Sequence, residues 1–294
     1  MRVPNAIQGT GLLQELNRIR AEINRSNREL VTGKRVIRPS DDPAAAARAV
    51  ARRDEISTLQ TYRESTEDAS SRLTAIDNIL DALERLNDAA AVAAAAGRSG
   101  TTDASAFSAL SDQVEGIRAE TLRIANGEHN GRHLFGGQQT LASPFVETGG
   151  VVNYVGDATP THVRVDNGTV VETSIPGSDL FVSGLSTFQV LTDLRDALSA
   201  SDVAGVEAQA QNLEQLATRY SQYRSRVGAS LNQLDRHRLY LQSVENEERF
   251  DLSRDVDADL ASSISDLSSA STALEAALGA GGRLVSASLL DVLG

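Results

Sequence analysis

Apolar residues recur at alternating steps of four and three along most of this chain. Leu12, Leu16, Ile19, Ile23, Ser26 and Leu30 mark the first such seam and predict a helix from about Gln8 to Val31. A longer seam follows through Leu59, Tyr62, Thr66, Ala69, Leu73, Ile76, Leu80, Leu83, Asn87, Ala90 and Ala94. It predicts a helix from Pro43 to about Ala96, roughly 80 Å long at 1.5 Å per residue, ended by Gly97 to Gly100. Phe107, Leu110, Val114, Ile117 and Ile124 share a face of a third predicted helix, from about Asp103 to Ala125, which Asn126-Gly127 stops. From Gly131 the period changes. Val151 to Val155 reads as a strand, and Val163, Val165, Val170 and Ile175 flank Asp166-Asn167-Gly168, a strong hairpin turn.

Helix resumes at Ser186, runs to about Ala200, and begins again near Val203 for a long stretch to Leu252. Its seam is Leu213, Leu216, Tyr220, Tyr223 and Val227, then, after a skip near Gly228, Leu231, Leu234, Arg238, Leu241, Glu245, Glu248 and Leu252. A last helix carries Leu260, Ile264, Leu267, Ser271, Leu274 and Leu278. Gly279, Gly281 and Gly282 are expected to loosen its end, before an apolar tail of Leu289, Leu290, Val292 and Leu293. The order is nearly palindromic. It predicts a mainly α fold, an elongated antiparallel helical bundle or coiled coil formed by both chain ends, with a small β-rich insert. Three regions are expected: 1–40 with 255–294, 41–131 with 186–254, and the insert at 132–185.

Between the first two helices lies a cluster of breakers. Gly33 can take positive φ just past a helix end, and Pro39 disfavours helix at Arg38. Asp42-Pro43 then restarts the helix, with an N-cap carboxylate followed by proline at the first helical position. Gly33, Pro39, Asp42 and Pro43 thus define a joint.

Composition narrows the function classes. Cysteine is absent from the 294 residues, which excludes disulfides and thiolate metal sites. Aromatics are only 4%, which favours thin helical seams over a broad core. A net charge of −12 argues against general nucleic-acid binding. The longest apolar run, Ala89 to Ala96, is far short of the roughly 18 residues of a membrane span. MRVPNAIQGTG has no apolar core followed by a cleavage site, so no Sec signal peptide is expected there. The ends differ in sign: residues 1–40 hold eight Lys or Arg against three Glu, and residues 255–294 hold one Arg against six acids. Opposite signs favour the two ends meeting, although exposed pairs individually add little.

Several stretches carry a resemblance. Thr32-Gly33-Lys34-Arg35-Val36 and Pro39-Ser40-Asp41-Asp42-Pro43-Ala44-Ala45 resemble the N-terminal motif of the flagellin superfamily. The Arg-Pro-Ser-Asp-Asp-Pro-Ala-Ala form is more similar to the junction proteins between hook and filament than to flagellin. Asn130-Gly131-Arg132-His133-Leu134-Phe135-Gly136-Gly137, continuing to Ser143-Pro144-Phe145, resembles the entry to their outer domain. Tyr154-Val155-Gly156-Asp157 and Ile175-Pro176-Gly177-Ser178-Asp179-Leu180-Phe181 resemble its later strands. Tyr223 to Asn232 resembles the C-terminal bundle motif, and Asp257 to Ala261 with Ser288-Leu289-Leu290-Asp291 the terminal segment. Two departures stand in the last helix: Leu267-Ser268-Ser269-Ala270-Ser271 where the family usually keeps glutamines, and Gly281-Gly282 in place of better helix formers.

The resemblance implies a structural subunit of the extracellular bacterial flagellum at the hook–filament junction, the alternative being a flagellin with a reduced outer domain. It implies an inner tube formed by a terminal seam of Leu12, Leu16, Ile19, Ile23, Leu30, Leu260, Ile264, Leu267, Leu274, Leu278, Leu289, Leu290 and Leu293. The implied partners are further copies in a helical ring, the first hook-associated protein, flagellin, and an export chaperone on roughly residues 255–294. No cofactor, nucleic acid or membrane insertion is implied, and export would follow the flagellar type III route.

Catalytic readings find little support. His129 and His133 have a spacing that suits a metal on a helix, but Gly127 and Gly131 place them in a solvated loop. Gly33-Lys34 lacks the upstream glycine of a phosphate-binding loop. Asp42 is explained by capping, and Asp41 is expected to be merely solvated. Asp255, Asp257, Asp259 and Asp266 fall at positions one, three, five and twelve of a calcium loop, but Leu260 occupies the glycine position and Asp266 the place of a bidentate Glu. They read instead as an acidic start to the last helix.

Overall fold

In the computed structural model the backbone of residues 3–99 and 103–293 is described, with side chains for residues 10–99 and 103–282. Six α-helices dominate: α1 (Val3–Thr32), α2 (Pro43–Gly97), α3 (Ala104–Ala125), α4 (Thr187–Ser199), α5 (Val203–Val256) and α6 (Leu260–Leu293). The fold is mainly α, with a minor β region of three antiparallel strand pairs. These are β1 (Glu128–His129) with β2 (Arg132–His133), β3 (Phe145–Thr148) with β4 (Val151–Tyr154), and β5 (His162–Arg164) with β6 (Val170–Glu172). No described helix is long and apolar enough to cross a membrane. The residues fall into two compact units, 1–58 with 244–294, and 59–243.

In the second unit the four–three pattern of α2 is realised almost position for position. Leu73, Ile76, Leu80, Leu83, Ala90 and Ala94 are buried, as are Leu213, Leu216, Tyr220, Val227 and Leu234 of α5. Asn87 interrupts the apolar seam, but its Nδ2 donates to the Leu213 carbonyl at 3.1 Å. A satisfied polar group inside a seam fixes helix register, since a slip would leave it unpaired. Arg238 departs from the expected seam: it is exposed and pairs with Asp235. α3 packs on α4, and Asp103 caps α3 by accepting from the Ala106 N–H at 2.7 Å.

The scarce aromatics are concentrated rather than spread along thin seams. Four of the six phenylalanines, Phe135, Phe145, Phe181 and Phe188, form one cluster with ring centroids 5.1–5.8 Å apart, and Tyr154 joins it at Phe145. The β region therefore has a true core. Asn126, the C-cap of α3, launches β3 by exchanging two 2.9 Å hydrogen bonds with the backbone of Phe145. Gly149 and Gly150, both at positive φ, join β3 to β4, and Asp166-Asn167-Gly168 joins β5 to β6 as expected. Gly137 has φ +63°, and a Cβ there would collide with the Asp157 carbonyl, so the Phe-Gly-Gly stretch needs glycine at that position.

His129 and His133 do not lie in a solvated loop. They sit on the β1–β2 hairpin, with His133 buried and its Nδ1 2.9 Å from the Asn126 carbonyl, and His129 Nε2 is 3.2 Å from Ser71 Oγ. The two-residue turn at Asn130-Gly131, both at positive φ, folds the strands back and turns His133 inward. Among the described residues no group of three or more His, Asp or Glu is placed to hold a metal ion.

Candidate functional site

The first unit is built around the joint. α1 ends at Thr32, where Gly33 takes φ +68° and its N–H donates to the Glu29 carbonyl at 2.8 Å. A left-handed residue just past a helix end is the usual role of glycine there. The strand-like strap that follows is sewn to the turn between α5 and α6. Lys34 bridges Asp257 in antiparallel fashion, and Arg35 and Val36 N–H both donate to the Val256 carbonyl, at 2.8 and 3.2 Å. The Ala258 N–H returns a bond to the Gly33 carbonyl at 2.9 Å. The two helix breaks therefore complete one another.

Capping is reciprocal as well. Asp42 Oδ1 accepts from the Ala45 N–H at 2.9 Å at the start of α2, with Pro43 as the first helical residue. Asp41 is more than solvated: its Oδ2 accepts from the Ile37 and Arg38 N–H groups at 3.1 and 2.8 Å. These amides follow the break at Gly33, whose carbonyl is taken by the Ala258 N–H, so a carboxylate stands in for the helical acceptors. The bonds hold Asp41 below the usual carboxylate range, that from Arg38 foremost. The Ala45 amide, then Arg35, does the same for Asp42.

Side chains from α2 and α5 close the joint. Arg48 Nη2 lies 2.7 Å from Asp255 Oδ1. Arg52 reaches three acids of α5: Glu248 at 2.8 Å, Asp251 at 2.9 Å and Asp255 at 3.2 Å. Beside them Val36, Ala45, Ala49 and Val256 form a small buried core, flanked by Ala46 and Leu252. The calcium-loop spacing dissolves into other roles. Asp255 pairs with arginines, Asp257 accepts from Ser253 Oγ, and Asp259 caps α6 by accepting from the Ala261 and Ser262 N–H groups.

Beyond the joint α1 packs along α6. On α1 the expected seam is the covered face: Ile19 and Ser26 are buried, and Leu12, Leu16, Ile23 and Leu30 are half-buried. On α6 the covered face keeps Leu267 and Leu274 of the expected seam but is otherwise lined by the residues one position earlier. Ser263 and Ala270 are buried, and Leu267, Leu274, Ala277 and Gly281 are half-buried, a four–three seam of mostly small residues. Leu260, Ile264 and Leu278 stand outside it, 48%, 58% and 51% exposed. Sequence reading favours large apolar residues as seam markers, whereas close helix approach selects small ones. Gly281 shows why: a Cβ there would stand 2.9 Å from Leu12 Cδ2.

α6 continues through the glycines to Leu293, and α1 packed along the helix offsets their roughly 1 kcal/mol propensity cost. The two ends do meet, as their opposite signs favour, although without ion pairs across α1 and α6 in the described contacts. Two arginines of α1 pair within the helix, Arg18 with Glu15 and Glu22, and Arg25 with Glu29. The described polar link across the helices is Ser263 Oγ donating to Glu29 Oε2 at 3.0 Å. Leu289, Leu290 and Leu293 lie outside the residues whose side chains are described.

Comparison with known proteins follows the same lines. Residues 6–140 match the bacterial flagellin N-terminal helical region. The chain is 29% identical over 170 residues to flagellar hook-associated protein 3 of Escherichia coli, covering 55% of this chain and 51% of that protein. It is 27% identical over 191 residues to the protein of the same name from Salmonella typhimurium, covering 62% and 57%. It thus matches little more than half the length of these relatives. A putative flagellar hook-associated protein from Vibrio parahaemolyticus has the same fold, with a TM-score of 0.66 at 16% identity over 71% of this chain and 100% of that one. Over residues 6–140 the chain is thus similar to the helical N-terminal region of bacterial flagellins, and its fold is that of the hook-associated neighbour.

Proposed function

We propose that this protein is a structural subunit of the bacterial flagellum, placed at the junction between hook and filament. The observation that carries the reading is its similarity to two relatives named flagellar hook-associated protein 3. Their names favour a junction protein over a flagellin with a reduced outer domain. The geometry supplies a mechanism. The joint couples α1 and α6 to the start of α2 and the end of α5 through shared backbone bonds, so the terminal pair is held as one element. The exposed Leu260, Ile264 and Leu278 are unspent apolar surface on that element, suited to a neighbouring copy.

In this reading residues 1–40 and 255–294 line an inner tube. Residues 41–131 with 186–254 form the wall, and 132–185 face outward. The partners are further copies in a ring, the first hook-associated protein on one side and flagellin on the other. An export chaperone covers 255–294 before the flagellar type III route carries the polypeptide out. The test is electron microscopy of cells lacking the protein, combined with assay of the medium. Bare hooks with flagellin shed into the medium are expected. Intact flagella would overturn the reading, and bare hooks without shed flagellin would identify the protein as the filament subunit.

A further inference from the structure

The sequence contains three Asn-Gly pairs, at 126–127, 130–131 and 167–168. Each has the same reactive element, a carboxamide followed by a backbone N–H with no side chain to obstruct it. The fold treats them differently. Asn126 is clamped: its Nδ2 donates to the Phe145 carbonyl and its Oδ1 accepts from the Phe145 N–H, both at 2.9 Å. The nitrogen that would attack it is also engaged, with the Gly127 N–H donating to the Ile124 carbonyl at 2.9 Å. Asn130 is exposed, as is Gly131, but sits at φ 52°, followed by Gly131 at φ +71°, in a two-residue turn between the paired His129 and Arg132. Bringing the Gly131 nitrogen onto its Cγ requires the turn to leave that conformation and open the β1–β2 pair.

Asn167 is unconstrained on both counts. It is exposed at the tip of the β5–β6 hairpin, outside the left-handed region, and Gly168 beside it is exposed too. Among the described contacts its carboxamide has no hydrogen bond. The hairpin is held without the Asn167 carboxamide: the Val165 N–H donates to the Thr169 carbonyl at 3.0 Å, the Asn167 N–H to Asp166 Oδ1 at 2.5 Å, and His237 Nε2 lies 2.7 Å from the Val165 carbonyl.

We propose that Asn167 is a site of spontaneous covalent modification, converting to aspartate and isoaspartate by intramolecular cyclisation. Hydroxide removes the Gly168 amide proton, and the nitrogen attacks Cγ of Asn167. The new N–Cγ bond closes a succinimide as the bond between Cγ and Nδ2 breaks, and ammonia leaves with a proton from water. Water then opens the ring at either carbonyl. Nothing is oxidised or reduced, and water is the only co-reactant. Opening at Cγ gives aspartate. Opening at the backbone carbonyl gives isoaspartate, which puts an extra carbon into the backbone of the turn. Either product adds a negative charge beside Asp166. Fold geometry, not sequence, selects the site.

The test is peptide mapping by mass spectrometry of the full-length protein, aged at mildly alkaline pH both native and in denaturant. In the native protein the peptide carrying Asn167 should convert first, that with Asn130 more slowly, and that with Asn126 least. In denaturant the three should converge. Asn167→Gln, which would close a larger and slower ring, should abolish the leading conversion without altering melting. The proposal fails if Asn126 converts as fast as Asn167 in the native protein, or if Asn167 keeps its lead in denaturant. It also fails if Asn167 stays an amide in the native protein while the unfolded protein reacts.

Discussion

Asp255, near the end of α5, accepts from Arg48 and Arg52, both on the early turns of α2, so one carboxylate fastens the two long helices together at the joint. Hydrogen bonds from Arg48, then from Arg52, hold that carboxyl below the usual range.

A carboxylate whose pKa is depressed by folding stabilises the fold fully above its unfolded value, about 3.9, and loses that contribution as pH falls through the lower folded value. Asp255→Asn should therefore lower the melting temperature at neutral pH and flatten part of the acid-induced loss. Part of the remaining loss at the joint stays with Asp41 and Asp42, which are depressed in the same direction. Amide exchange in residues 33–58 and 244–262 reports the joint directly. Unchanged melting together with an unchanged acid profile would show the pairing to be incidental.

Arg118 is buried on α3, and its Nη2 lies 2.8 Å from both Glu115 and Glu147, while Glu115 also receives Arg195 at 2.9 Å. The two carboxylates are partly exposed and the arginine is not. Removing the acids is therefore worse than removing the base. Glu115→Gln with Glu147→Gln, which strands a buried cation, should cost about 3 kcal/mol. Arg118→Met, which leaves two hydrated carboxylates, should cost about 1 kcal/mol or less. Chemical denaturation of both variants checks the order, and the reverse order would refute it.

Tyr220 is fully buried, and its hydroxyl lies 2.8 Å from Thr187 Oγ1. Burial pushes its pKa up to about 12. The neutral phenol is favoured by folding, so its contribution is complete below the unfolded value of about 10 and lost as pH rises from there to about 12. Two units correspond to roughly 3 kcal/mol. Spectrophotometric titration should show one tyrosine ionising only as the fold gives way, and Tyr220→Phe should flatten alkaline unfolding between those values. A phenolate at 220 forming in the intact fold near pH 10 would contradict this.

Two glycines should respond in opposite directions to alanine. At Gly281 the methyl meets only the flexible end of Leu12, and the α6 backbone gains up to about 1 kcal/mol of helix propensity. At Gly137 the methyl meets a backbone carbonyl and φ is positive, so a loss of more than about 1 kcal/mol is expected. Thermal melting of Gly281→Ala and Gly137→Ala decides both signs.

Much of this was legible beforehand, and the exceptions share physical causes. The seam through Leu73, Ile76, Leu80 and Leu83 could be read because burial along a helix repeats locally. The Gly33 stop and the Asp42 cap were equally local. The pairing of Arg48 with Asp255 was not legible, because it depends on how two segments 207 positions apart register against one another. Strand β3 was missed, although the Gly149-Gly150 pair before Val151 was available as a hairpin signal. The packed face of α6 was misjudged because Ser263, Ala270 and Gly281 carry no apolar signal, only the property of being small. For Asp41, an aspartate shortly after amides that a helix break leaves without helical acceptors was the overlooked cue.

The strap that joins Lys34 to Asp257 has a consequence in time. Arg35 donates to the carbonyl of Asp255, 220 positions later in the sequence. During synthesis Arg35 emerges first and waits for 220 further residues before its partner arrives. The joint is therefore among the last features to close, since contacts of such sequence separation bear the full entropy of ring closure before they reward it. Until then α1 has neither its cap partners nor its packing face. On the proposed export route, a fastening between segments so far apart in sequence would stay open in transit and close only once both had emerged.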